Sequence, residues 1–214
     1  MNKSFAVLGL GKFGMSLAKA LSDNGAEVLV ADENEELVNQ IADSVTCALT
    51  ADLTDAAAIK GFGISNMDVV VVCMAQNLEA SIMCVMVAKE CGVKYVMAKA
   101  SSERAGIILK KIGADEIIFP ENETGIRMAK KLTSDNFLEF FEISDNLALV
   151  EMRPKDSWIG KSLKELNLRH DYNLNVVAVS IDHSTKGSID PEKPIEKDQS
   201  LLIVIDKKDL KKIS

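Results

Sequence analysis

The sequence predicts an α/β protein, with a parallel sheet wrapped by helices in its first part and a small α+β module in its second. Three observations carry this. From Phe5 to Phe119, short apolar runs alternate with segments whose apolar residues recur at helical spacing. The run Asp68–Cys73 is continuous and β-branched, as in a strand buried on both faces. After Ser134-Asp135-Asn136 the pattern turns to β-rich segments joined by short turns.

Taken in order, Phe5–Leu8 reads as a strand that ends in glycines. Phe13 to Asn24 is a helix, with Phe13, Leu17, Ala20 and Leu21 on one face, and Gly25 ends it as Gly does beyond a C-cap. Glu27–Ala31 is a strand, Glu33–Ala42 a helix and Val45–Leu49 a strand. The Asp68–Cys73 strand follows. Next come a helix at Leu78–Glu90, a strand at Tyr95–Ala98, a helix at Ser102–Lys111 and a strand at Glu116–Phe119. Pro120 interrupts the alternation, and Thr124–Leu132 is a further helix. The boundary at 134/135 separates a first domain, 1–134, from a second, 135–214. The second has strands at Phe137–Ile143, Leu147–Met152, Val176–Ile181 and Leu201–Ile205. It also has a short helix at Ser162–Leu166, a polar loop from Ser184 to Lys197 and a charged terminal helix at Lys207–Lys212. About 80 residues make a marginal core, so this module is expected to be completed by dimerisation.

Composition excludes several classes. The chain has 214 residues with 25 Lys+Arg against 32 Asp+Glu, a net charge of −7. An acidic chain without a basic block is poorly suited to nucleic acid, whose phosphates need clustered Lys and Arg. Apolar stretches such as Asp68–Ala75 fall far short of the roughly 20 residues of a membrane span. Met1-Asn-Lys-Ser leads straight into Phe5–Gly9, too short for a signal-peptide apolar region. Cys47, Cys73, Cys84 and Cys91 form no Cys-x-x-Cys pair and sit in apolar stretches; they are expected to be buried, reduced thiols.

The sharpest motif is Gly9-Leu10-Gly11-Lys12-Phe13-Gly14, a G-x-G-x-x-G directly after a strand and opening a helix. Gly9 suits the tight turn, Gly11 the close approach of a pyrophosphate, and Gly14 the packing of helix on strand. The phosphates meet free N–H groups at the helix N-terminus. Asp32 ends the second strand, 18 residues after Gly14, where an acid accepts hydrogen bonds from ribose hydroxyls. Such a carboxylate repels a 2′-phosphate, so NADP is disfavoured, while NAD, ATP and ADP are allowed. Lys12 reads equally as a solvated lysine at a helix start and as a cation beside the phosphates.

The segments Phe5–Gly14, Val28–Glu36, Thr50–Thr54 and Ile112–Glu121 resemble the Ktr/Trk potassium-uptake regulatory subunits, the RCK proteins. The resemblance spans the chain. It implies a Rossmann-like RCK N module and a small α+β RCK C module, one of each as in the Ktr branch. It also implies cytosolic homodimers assembled into octameric rings beneath a membrane potassium-translocating subunit. ATP or ADP, and NAD or NADH in some members, would bind the N modules and shift the ring. By resemblance, Asn34, Asp52 and Leu53 lie near ribose and adenine, and Ala75 and Lys99 near the rest of the ligand. Glu121 matches a carboxylate that holds a Mg or Na ion among paired nucleotides; on residues alone it is an acid favoured at a helix N-terminus. In the C module, Arg169, Asn175, Val176 and Pro191 match the residue types of a cyclic di-AMP site. On residues alone they are an ordinary surface Arg and turn Pro with their neighbours.

The rival readings are an NAD-dependent oxidoreductase and a free-standing NAD(H) redox sensor. Such an enzyme needs a positioned acid or base. His170 and His183 are the only histidines, neither with an evident orienting partner in the sequence. No P-loop motif occurs. The sequence therefore reads as a regulator and not as an enzyme.

Overall fold

The computed structural model describes residues 3–182 and 184–213. They form two compact units divided by packing at Pro120/Glu121. The first holds β1 (Ser4–Leu8), α1 (Lys12–Asp23), β2 (Glu27–Asp32), α2 (Glu35–Ile41), β3 (Cys47–Thr50), α3 (Ala56–Gly61), β4 (Val69–Val72), α4 (Leu78–Glu90), β5 (Tyr95–Lys99), α5 (Glu103–Lys111) and β6 (Glu116–Ile118). Among the described residues its six strands are parallel, in the order β3-β2-β1-β4-β5-β6.

Alternation along each strand builds two core layers. Ala6, Leu8, Leu29, Ala31, Val70 and Val72 point to one face, where Ile59 of α3, Cys84 and Val85 of α4 and Leu109 of α5 cover them. Val7, Val28, Val30, Val71 and Cys73 point to the other, against Ala18 of α1 and Val38 and Ile41 of α2. Sequence order reverses between β1 and β4, so the C-terminal ends of these strands open the crevice where doubly wound sheets take ligands.

The sequence reading omitted α3, a six-residue helix starting Ala-Ala-Ala. It offers little amphipathic period to detect, yet its N-cap Asp55 accepts from Ala57 N and Ile59 is fully buried. The cysteine expectation holds for Cys73 and Cys84 but not for Cys47, which is exposed on the edge strand β3, or Cys91, which is half-buried where it caps α4.

The second unit opens with α6 (Pro120–Leu132), which begins at the proline itself, a residue favoured in a first helical turn. Packing places α6 largely with this unit, whereas the boundary read from sequence lies at 134/135. Then come β7 (Phe137–Glu142), β8 (Leu147–Met152), α7 (Leu163–Leu166), α8 (Leu168–Asp171), β9 (Leu174–Ile181), β10 (Ser184–Lys186) and β11 (Ser200–Asp206). Among the described residues they form an antiparallel sheet, β10-β9-β11-β8-β7. Its core gathers Phe140, Val150, Met152, Leu174, Leu201 and Ile203 around Trp158, 1% exposed, whose ring meets Tyr172 edge-on at 5.3 Å. The terminal segment Lys207–Lys212 is a 3₁₀ helix.

Candidate functional site

The chain leaves β1 through Gly9, whose N–H donates to Ala31 O at 2.8 Å. Gly9 adopts a φ of +96°, a conformation side chains rarely take, and a Cβ there would lie 2.5 Å from Met74 Cγ. A Cβ on Gly14 would lie 1.9 Å from Gly9 O, so only glycine permits this closeness of helix to loop. Gly11 has open space around it.

The start of α1 differs from its neighbours. Asn34, Asp55, Asn77 and Ser102 cap α2, α3, α4 and α5 with side-chain oxygens. Gly11 caps α1 with no side chain, and no acid stands in the first turn. The leading N–H groups of α1 thus point out from the crevice end of the sheet, with a partial positive charge suited to an anion.

Asp32 ends β2 beside this loop. Its Oδ2 accepts from Leu10 N at 2.5 Å and its Oδ1 from Asn34 N at 2.9 Å. The carboxylate therefore ties the glycine loop to the β2–α2 turn. Asn34 uses its own Oδ1 to accept from Glu36 N and start α2.

A slot of about 70 Å³ opens next to Asp32, lined by Glu33, Asp52, Leu53, Thr54, Met74, Asn77 and Ala80 as well. It is large enough for one moiety of a nucleotide, not the whole. Asp52 Oδ1 accepts from the Thr54 hydroxyl at 2.7 Å and from Thr54 N at 2.8 Å. Those bonds hold its carboxyl below the usual range, so it stays ionised at neutral pH. Met74 is fixed through its carbonyl, which accepts from Ser81 Oγ at 2.9 Å.

The structure therefore brings the glycine loop, Asp32, Asp52 and Leu53 to one crevice, with Asn34 at its edge. Lys12 is exposed in the first turn of α1. Lys99 ends β5 with its Nζ 5.7 Å from the centre of the Phe13 ring. Ala75 is half-buried in the loop after β4. Glu33, Thr54, Met74 and Asn77 escaped the sequence reading. Their grouping depends on strand order, and the Asp-x-Thr turn at Asp52 was the one local signal. Cys73 lies beneath the loop, and burial pushes its thiol up to about 12, against a smaller opposing pull from Lys99. It stays protonated and is unsuited to act as a nucleophile.

In the second unit, Arg169 Nε donates to Asn175 Oδ1 at 2.7 Å, joining α8 to β9 at an exposed position. Val176 is half-buried on β9. Pro191 is exposed, and its carbonyl accepts from Lys164 N at 3.0 Å. Glu121 is the exposed second residue of α6. Among the described residues no group of three or more His, Cys, Asp or Glu side chains is placed to hold a metal ion. His170 does have a neighbour, Asp171 Oδ1 at 2.8 Å from its Nδ1, in an exposed pair. His183 lies outside the described residues.

Comparison with known proteins gives a consistent result. Residues 5–120 match the TrkA-N domain and residues 147–214 the TrkA-C domain, leaving most of α6 between them. The chain is 39% identical over 179 residues to Ktr system potassium uptake protein C of Bacillus subtilis (strain 168), covering 84% of this chain and 81% of that protein. It is 36% identical over 211 residues to Ktr system potassium uptake protein A of the same organism, covering 99% and 95%. Among solved structures, the GsuK RCK domain matches all of this chain with a TM-score of 0.68 at 16% identity, a likeness of fold alone. This chain spans 47% of that one.

Proposed function

This chain belongs to the family of potassium-uptake proteins built from a TrkA-N and a TrkA-C domain, and from that premise we propose that it is a nucleotide-binding regulatory subunit of a potassium-uptake system. The observation that carries the nucleotide reading is the helix α1, left uncapped behind a glycine loop that Asp32 holds in place. Phosphates would rest on the N–H groups of Gly11 to Gly14, with Leu10 and Phe13 shaping the loop and Lys12 adding charge. Asp32 would accept from ribose hydroxyls, and Asp52 and Leu53 would bound the adenine. Ala75 and Lys99 would meet the distal part of the ligand. ATP and ADP are the ligands we favour, and NAD or NADH would fit the same loop.

Ligand identity would act by population shift. A nucleotide can move a conformational equilibrium only by its difference in affinity for the two states. We infer homodimers assembled into an octameric ring, as the family resemblance implies; large apolar side chains that stand in solvent on α5 (Ile107, 57% exposed) and α6 (Leu132, 82% exposed) support self-association. The ring would lie in the cytoplasm against a membrane-embedded potassium-translocating subunit. Among the described residues no helix is long and apolar enough to cross a membrane, which suits attachment through a partner. Glu121 from paired copies would hold a Mg or Na ion together with nucleotide phosphates, since hard cations take oxygen ligands. The functional modules are 1–134 and 135–214, and the second would take cyclic di-AMP at Arg169, Asn175, Val176 and Pro191.

A thermal-shift panel of ATP, ADP, NAD and NADH, with and without Mg, tests the reading. A ligand at 100 times its Kd stabilises by about 2.7 kcal/mol. ATP and ADP should shift wild type, and Asp32→Ala should lose most of that shift. Equal shifts in both proteins would remove Asp32 from the site. A response to NADH alone would favour the redox-sensor alternative.

A further inference from the structure

Three carboxylates line the slot beside the glycine loop: Asp32, Glu33 and Asp52. Two are tied up by donors. Asp32 accepts a backbone N–H on each oxygen, and Asp52 accepts both the N–H and the hydroxyl of Thr54. Those donors partly offset their charge and fix their directions. Glu33 is exposed, and its carboxylate makes no hydrogen bond or ion pair to any described residue. It is the free negative charge at this mouth.

We propose that Glu33 sets the rejection of adenine nucleotides carrying a 2′-phosphate, while Asp32 clamps the loop and receives the ribose hydroxyls. The proposal rests on the nucleotide reading above. Glu33 follows Asp32 directly and is the first residue of the β2–α2 turn, so a phosphate on the 2′ oxygen of a ribose held by Asp32 would come near it. A phosphate there adds up to about two negative charges beside an unneutralised carboxylate. Because Glu33 is exposed, its repulsion is screened once the Debye length falls from about 10 Å at 0.1 M salt to about 3 Å at 1 M. An acid whose oxygens are both held by backbone donors, as in Asp32, would discriminate by geometry and respond less to salt.

The test is displacement of a fluorescent ADP from the full chain by AMP and by adenosine 2′,5′-bisphosphate, two probes that differ only in the 2′-phosphate. Wild type should prefer AMP, and the preference should shrink as KCl rises. Glu33→Gln should narrow it by ~10-fold at low salt, through gain of the bisphosphate alone. Glu33→Arg should reverse it. If both variants keep the wild-type preference, Glu33 is not the determinant and the proposal falls. If fluorescent ADP fails to bind wild type at all, it is the nucleotide reading that fails, before Glu33 enters the comparison.

Discussion

Three glycines in six residues do different work, and single methyl groups can separate them. Gly14 has no room, since a Cβ would lie 1.9 Å from Gly9 O and 3.1 Å from Gly9 C, backbone atoms that would have to be displaced. Gly14→Ala should destabilise the first unit by about 3 kcal/mol, at the upper end of the cost of overpacking, read as a lowered midpoint in urea. Gly11 has open space and a φ of −59° that any residue accepts. Gly11→Ala should change stability by no more than about 1 kcal/mol yet weaken ADP binding at least tenfold, because the new methyl stands where phosphates approach. Unchanged ADP affinity in a folded Gly11→Ala protein would move the phosphates elsewhere. Much of this was legible in the sequence, because the motif, the strand before it and Asp32 follow one another at fixed spacing. Glu33, Thr54, Met74 and Asn77 were not. They come from turns after different strands, and only the β3-β2-β1-β4 order makes them neighbours.

At the scale of elements, α6 is held to β7 by charge. Lys131 meets Glu139 at 2.8 Å, Arg127 approaches the same carboxylate at 3.7 Å, and Lys130 and Lys207 both pair with Glu142. The Lys131 hydrogen bond holds Glu139 below its ordinary 4.5, and those of Lys130 and Lys207 do the same for Glu142. Both carboxyls are thus more acidic folded than unfolded. Their stabilisation is complete above pH 4.5 and disappears as pH falls through the lowered folded values. The pairs are partly exposed and each contributes little, about 0–1 kcal/mol. Acid titration followed by Trp158 fluorescence should show the second unit losing stability in that range. Glu142→Gln should blunt the loss, and an identical acid profile in the variant would show that other groups dominate. This helix also shows where reading by pattern stops. Its periodicity from Thr124 was visible, but its start at Pro120 was read as a break, because a proline that ends one element and one that opens the next look alike without the turn between them.

For the whole molecule, a ligand site in each unit, as proposed, should give two separable responses. Arg169 and Asn175 meet in the second unit, far along the chain from the glycine loop, and each unit has its own core. Arg169→Ala should abolish any thermal shift with cyclic di-AMP and leave the shift with ADP intact. Loss of both together would refute two independent sites. The change of regime was evident in the sequence, since a strand buried on both faces gives way after residue 134 to β-rich segments joined by short turns. The dividing point was less so, because packing and sequence pattern weigh α6 differently.

The central strand of the first sheet has a history as well as a place. β1 pairs with β2 on one side and with β4 on the other, where Phe5 aligns with Val69. That second partner lies 64 residues further on. At about 5–20 residues per second, a ribosome needs roughly 3–13 seconds to supply it. During that time the nascent chain carries β1 with one flank open, and the glycine loop lacks Met74 beneath it. Once β4 emerges the crevice can close, with most of the second unit still unsynthesised. A ligand for the loop would thus meet its site on the ribosome before the second unit's sheet exists.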